Sequence, residues 1–261
     1  MRFGKGVGYL KLSLSNGIFC KHALEHNIAA VKRLGFENLE FNMKCVEEED
    51  EDAVYSAKRL IDSYGLNCLT VHAATLHVNN ETEIPKALYY GRVSADFAST
   101  LSAPILVIHS NVSRRLPKNL RNKFLTQIFK ELIPYAKNLN LRLSLENLSY
   151  ASSGYGKNVT ELEEILGVIG DEGMGITIDF CHAEATGTTL SLLERYKTRL
   201  SNIHISNRAH KPFIEETPNL KAFITKLKDY GYNGALTIEL SSKCSNEEIL
   251  ETKKTIEKTI S

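Results

Sequence analysis

Six short apolar runs in this chain finish, or nearly finish, on a side chain that can bind a metal or move a proton. They are LTVH (His72), LVIH (His109), LSLE (Glu146), ITID (Asp179), NIHI (His204) and LTIE (Glu239). A bare charge at the end of a buried strand is costly unless something compensates it. A single His or Asp in such a place is as readily structural, capping a helix or accepting from a backbone amide. Six in succession do not fit that reading, and Glu rarely caps. Three carboxylates gathered at one point would repel one another unless a cation neutralised them. The pattern therefore asks for a metal centre, provided the six run ends converge.

Convergence depends on the elements that carry them. Short β-rich runs are expected at 6–12, 38–42, 68–72, 105–109, 141–147, 175–179, 202–206 and 235–240. Helical patterns lie between them, for example at 22–35, 52–65, 122–139 and 220–231. Several close on Gly, and others open on capping pairs such as Asn158 with Glu161 and Ser245 with Glu248. Strands alternating with helices imply parallel pairing with helical crossovers. The economical closure is an α/β fold, a single (β/α)8 TIM barrel spanning 1–261 as one domain; its strand ends all emerge on one face. A doubly wound open sheet is the alternative, but no GxGxxG follows the first strand.

The bulk composition agrees with a barrel enzyme and excludes other classes. A length of 261 residues suits one α/β barrel, and 43% hydrophobic with 24% charged residues is an ordinary globular balance. No apolar run is long enough to span a membrane, and the N-terminus lacks the apolar core of a secretory signal. The net charge of +1 gives no general attraction to nucleic acid. Five scattered cysteines without CxxC argue against a disulfide framework and point to a reducing, cytoplasmic setting. HALEH, with His22, Glu25 and His26, matches a zinc-protease pattern but falls on the first crossover helix, where a surface or packing role is expected. His77 could line the pocket or stand in solvent, and Glu184 is a candidate outer ligand beside His182. The acids Glu47 to Asp52 read as a solvated helix start.

With these residues in place, the chain resembles the xylose isomerase-like TIM-barrel superfamily, which holds sugar isomerases and epimerases as well as endonuclease IV-type abasic-site nucleases. HAATLHVN (72–79), IHSN (108–111), ENLS (146–149), IDFCHAEATG (178–187) and HISN (204–207) occupy the places of the superfamily's motif strands. The resemblance implies that Glu146, Asp179, His204 and Glu239 form the shared four-ligand metal site. It implies a second site at His72 and His109 with Glu146 bridging, and two ligands of the nuclease branch's third site at His182 and His210. The Asp expected two residues before His210 is Arg208 here, and the aromatic expected after the third strand is Thr75. The acids at 47–52 would oppose a phosphate backbone. Basic residues flanking the mouth elsewhere are Arg114, Arg115, Lys157, Arg208, Lys211 and Lys243.

The resemblance implies a metal-dependent isomerase or epimerase of a small sugar or sugar phosphate, with Glu146 and Glu239 as the acid/base pair. Arg208 and Lys211, with Asn207 beside them, would contact the substrate. Hydrolysis of phosphodiesters at abasic DNA sites is the alternative, with nucleic acid disfavoured as a partner. A barrel that binds metal without turnover is the non-enzymatic one. The cofactor implied is one or two divalent ions, with Mn, Mg, Co or Zn suited to the oxygen-rich site and Zn, Mn or Co to the two-histidine site.

Overall fold

Alternation of small polar and apolar residues builds strands whose two faces go to different places. In the computed structural model, which describes residues 10–47, 51–170 and 173–261, the strands are β1 (Lys11–Ser15), β2 (Asn38–Asn42), β3 (Asn67–His72), β4 (Ile105–Ile108), β5 (Arg142–Glu146), β6 (Gly175–Asp179), β7 (Leu200–Ile205) and β8 (Ala235–Ile238). All pair in parallel in chain order, and β8 returns to β1 from Lys11↔Ala235 to Leu14↔Ile238. That last pairing closes a (β/α)8 barrel and excludes the open sheet.

The helices are α1 (Leu24–Arg33), α2 (Glu51–Ser63), α3 (Ile84–Thr100), α4 (Lys118–Asn138), α5 (Val159–Ile169), α6 (Phe180–Thr186), α7 (Thr189–Tyr196), α8 (Pro218–Asp229) and α9 (Asn246–Ile260). The longer helices bury one apolar stripe: in α4, Phe124, Leu125, Ile128, Phe129 and Leu132 recur at helical spacing and are buried. The expected caps form. Asn158 accepts from the Glu161 amide at the start of α5, and Ser245 with Glu248 makes a capping box on α9. No helix among the described residues is long and apolar enough to cross a membrane.

Three expectations need correction or limits. The first strand is expected at 6–12; residues 6–9 lie outside the described residues, and the described strand runs Lys11–Ser15. Its inward residues Ser13 and Ser15 are fully buried yet polar, so hydropathy ends the expected run too early. Cys20 and Cys45 form a disulfide, although the scattered cysteines argue against a disulfide framework. Their separation of 25 is close to one strand–helix unit, and that unit brings the turns after β1 and β2 side by side at the mouth. Of the acidic run, Glu48 to Asp50 lie outside the described residues, and α2 begins at Glu51.

The barrel interior is what positions the site. Two residues before five of the six strand-end side chains, Val107 below His109 being the exception, stands a second inward polar residue: Thr70 below His72, Ser144 below Glu146, Thr177 below Asp179, Asn202 below His204 and Thr237 below Glu239. These form a hydrogen-bonded floor, with Ser144 Oγ 2.6 Å from both Thr177 Oγ1 and Ser201 Oγ, and Thr237 donating to Asn202 at 3.3 Å. A core of this kind holds the layer above it in register instead of filling the barrel with aliphatic side chains.

Close helix packing outside the barrel gives one test. A Cβ on Gly91 of α3 would sit 2.6 Å from Cδ1 of Leu132 on α4, and Leu132 is itself buried. Gly91→Val is expected to destabilise the fold by about 1–3 kcal/mol through overpacking. Urea unfolding measures it, and an unchanged midpoint would show that the α3–α4 seam can open freely.

Candidate metal centre

The strand-end residues do converge. Glu146, Asp179, His204 and Glu239 offer ligand atoms that all lie within 4.8 Å of one another. His72, His109 and Glu146 form a second such group, and Asp179, His182 and His210 a third. Glu146 joins the first two. Its Oε2 lies 3.0 Å from His109 Nε2 and 3.4 Å from His72 Nε2, while its Oε1 lies 3.3 Å from His204 Nδ1. His204 Nδ1 is also 3.3 Å from Glu239 Oε2.

Asp179 divides its two oxygens. Oδ1 accepts from the His182 amide at 2.6 Å and so caps α6, whereas the buried Oδ2 has no hydrogen-bond partner. Asn147 fixes the backbone around it. Its Oδ1 accepts from the Asp179 amide, its Nδ2 donates to the Asp179 carbonyl, and its own carbonyl receives His182 Nδ1 at 2.9 Å. That leaves His182 Nε2 facing His210 Nε2 at 3.1 Å. His210 is turned inward by left-handed backbone at Ala209 (φ 60°) and His210 itself (φ 52°), an arrangement that costs of order 1–3 kcal/mol per residue.

Sequence reasoning missed Glu40, which sits on β2. It is fully buried, its Oε2 lies 2.8 Å from His204 Nε2, and it accepts from Thr70 Oγ1 at 2.9 Å. The available signal was its place in NLEFN: if Leu39 and Phe41 pack against helices, Glu40 must point into the barrel.

Charges in this space are strongly shifted. Burial opposes protonation of His204, but Glu40, Glu146 and Glu239 outweigh it and hold the imidazole well above its ordinary value. Burial likewise opposes protonation of His72, and Glu146 overrides it, raising the ring to about 9. Burial pushes Glu146 up, yet His204 and His109 bring it well below the carboxylate range; Glu239 is drawn down to about 2, chiefly by His204 against the same burial cost. Asp179 goes the other way, raised by burial that His182 only partly offsets. Without metal, imidazolium protons neutralise most of these carboxylates.

Those donors fit a divalent cation. Asp179 Oδ2 and His204 Nδ1 are buried, face the cluster and lack hydrogen-bond partners, and carboxylate oxygens with an imidazole suit Mn, Mg, Co or Zn. A metal entering the four-ligand site must displace a proton from His204, and one entering the His72–His109–Glu146 group a proton from His72. Affinity is therefore expected to tighten as pH rises from 7 toward 9, by up to about tenfold per pH unit for each proton released. Calorimetry in buffers of different ionisation enthalpy counts those protons. The sign for metal-free stability is opposite. The His72 contribution is full below 6.5 and is lost as pH rises through about 9, so chelator-treated protein is expected to melt earlier at pH 9.5 than at pH 6.5. Zero proton release, or a flat melting curve across that window, would contradict these assignments.

A cavity of about 510 Å³ opens over the cluster, lined by His72, His109, Glu146, His182, His210 and Glu239, with Lys44, Thr75, His77 and Tyr90 among its other lining residues. Asn207, Arg208 and Lys211, expected to contact a substrate, are not among the lining residues. Asn207 and Lys211 pair with each other across the turn that aims His210, and Arg208 and Lys211 are exposed. Lys44 instead brings an ammonium to the cavity. Glu184 bonds to Thr189 and Asn219 and supplies no ligand, and His22 and His26 are exposed, their rings 4.8 Å apart. Arg114 pairs with Glu161 through one guanidinium nitrogen and stays half exposed, whereas buried Lys157 donates to the Tyr150 carbonyl.

The family profile of xylose isomerase-like TIM barrels matches residues 28–259. The chain belongs to the xylose isomerase-like TIM-barrel family. Among curated sequences this family member is 22% identical over 250 residues to the uncharacterized protein MJ1311 of Methanocaldococcus jannaschii, covering 90% of this chain and 85% of the relative. Solved structures share its barrel. L-ribulose 3-epimerase superposes with a TM-score of 0.81 at 15% identity, covering 96% of this chain and 94% of the other. The 3-keto-D-glucoside 4-epimerase YcjR of E. coli gives 0.78 at 15%, covering 94% and 99%. D-psicose 3-epimerase of Clostridium cellulolyticum H10, with D-tagatose, gives 0.78 at 11%, covering 96% and 99%.

Proposed function

We propose that this family member is a metal-dependent isomerase or epimerase of a small sugar or sugar phosphate. The observation that carries the reading is the pair Glu146 and Glu239, both within 3.3 Å of His204 Nδ1 and both lining one cavity of about 510 Å³. That volume lies in the range of small-molecule sites. The epimerase structures that share the barrel support the same substrate class.

Glu146, Asp179, His204 and Glu239 would hold the ion. When bound, a divalent cation supplies Lewis-acid stabilisation of negative charge on neighbouring carbonyl and hydroxyl oxygens, worth several kcal/mol. The chain's own residues do the proton transfers. One of the two glutamates removes a C–H proton next to the substrate carbonyl, and the C–H electron pair moves into the carbonyl to give an enediolate. The other glutamate returns a proton, to the opposite face for an epimer or to the neighbouring carbon for an isomer. In the metal-free protein both carboxyls are held ionised, so the glutamate that abstracts is ready to accept. The one that donates must first carry a proton, and solvent restores that proton after turnover and takes up the one abstracted. His72, His109, His182 and His210 surround the cavity with donors for substrate hydroxyls, and Lys44 suits an anionic substituent.

One observation favours phosphodiester hydrolysis at abasic DNA sites instead: the His72–His109–Glu146 group offers a second metal position. Against it stands Lys157, which is buried and engaged by the Tyr150 carbonyl. Metal analysis of the purified protein, followed by a ketose and ketose-phosphate panel beside an abasic-site duplex, decides between them. Sugar turnover without incision supports the proposal; efficient incision with no sugar turnover ends it.

A further inference from the structure

Glu40 is in none of the candidate metal clusters, yet it is fully buried with its Oε2 held by both His204 and Thr70, while its Oε1 has no hydrogen-bond partner. We infer that Glu40 is a positioning residue that locks the His204 ring so that Nδ1, and not Nε2, faces the metal position. This rests on the metal reading above and is independent of which substrate the site takes.

An imidazole buried on every side can present either nitrogen, and its choice follows from what the other nitrogen bonds. Here Nε2 lies 2.8 Å from Glu40 Oε2, and both residues are fully buried. A carboxylate can only accept, so Nε2 carries the proton and Nδ1 is left to act as ligand toward Glu146, Asp179 and Glu239. Glu40 is itself held from below. Pairing between β2 and β3 runs Leu39↔Cys68 and then Glu40↔Thr70, so Leu69 is an extra residue in β3. That irregularity sets Thr70 opposite Glu40, and its hydroxyl donates to the same oxygen that meets His204. The chain therefore reads as a relay from a strand irregularity through a hydroxyl and a carboxylate to a ring orientation. Carboxylates behind metal-bound histidines commonly set affinity in this way.

The test uses the zinc-loaded protein. Long-range ¹H–¹⁵N spectra are expected to show His204 protonated at Nε2 and bound through Nδ1. Glu40→Ala is expected to weaken zinc binding by about 10–100-fold, measured by competition with a chromophoric chelator. Glu40→Gln, which retains an acceptor oxygen, is expected to recover much of that loss. Thr70→Val, which keeps both metal ligand and carboxylate, is expected to weaken zinc by a smaller factor and covers the case in which Glu40→Ala does not fold. Zinc bound through His204 Nε2, or wild-type affinity in Glu40→Ala and Thr70→Val alike, overturns the inference. A wild-type chain that binds no zinc overturns it together with the metal reading. Zinc binding with the expected spectra but no sugar turnover supports it and removes only the substrate proposal.

Discussion

Glu146→Gln is expected to lower turnover by at least about 10³-fold and to empty the metal site. Removal of a general base alone costs roughly 10²–10⁴-fold, and loss of a charged ligand adds to it. No other side chain faces as many partners: its two oxygens meet His72, His109 and His204, and His182 Nδ1 is 3.7 Å away. An amide of the same shape keeps the packing but offers those rings half the acceptors and no charge. His72 then loses the carboxylate that raises it to about 9, and its pKa is expected to fall toward the ordinary value. Steady-state kinetics, metal content and a histidine NMR titration read the three effects separately. A fully active variant would place the chemistry elsewhere in the protein.

The second large effect distinguishes the two glutamates. Glu239→Gln is expected to cut epimer formation by about 10²–10⁴-fold while Glu146 still abstracts its own proton. In D₂O, one epimer of the substrate is then expected to exchange its C–H for deuterium without converting, and the other to stay inert. Gln can still present an oxygen to the ion, so metal content is expected to fall less than in Glu146→Gln. NMR of recovered substrate makes the measurement. Exchange lost from both epimers with metal retained would assign both proton transfers to Glu239, and the two-base scheme would be wrong.

Much of this architecture is visible in the sequence because its signals are local. The strands that end in ITID and the NLEFN run fall where their apolar alternation puts them, and the helices follow their caps. The convergence of His72, His109, Glu146, Asp179, His204 and Glu239 follows from parallel closure alone. What failed depends on non-local geometry. The expected β1 ends too early because its inward face is serine, which only a polar barrel floor explains. The Cys20–Cys45 bridge depends on two turns meeting across neighbouring strands. The place of Asn207, Arg208 and Lys211 outside the cavity lining likewise follows from the left-handed backbone at Ala209 and His210, which turns the histidine inward. No residue type in NRAHK announces that backbone. Glu40 escaped notice because a lone acid in an alternating strand reads equally well on either face until the partner strands are known.

The bond between Glu40 and His204 joins residues 164 apart in the chain. Such a contact is slow to form, since a long loop must be closed before it yields anything. The ligands themselves come from the ends of β3 to β8, spread from His72 to Glu239, so an ion held there favours the folded barrel over the opened chain. By mass action, an ion at 1,000 times its dissociation constant shifts the folding equilibrium by about 4 kcal/mol. Metal supply would then govern the lifetime of the protein as well as its turnover, because the starved population opens more often to proteases.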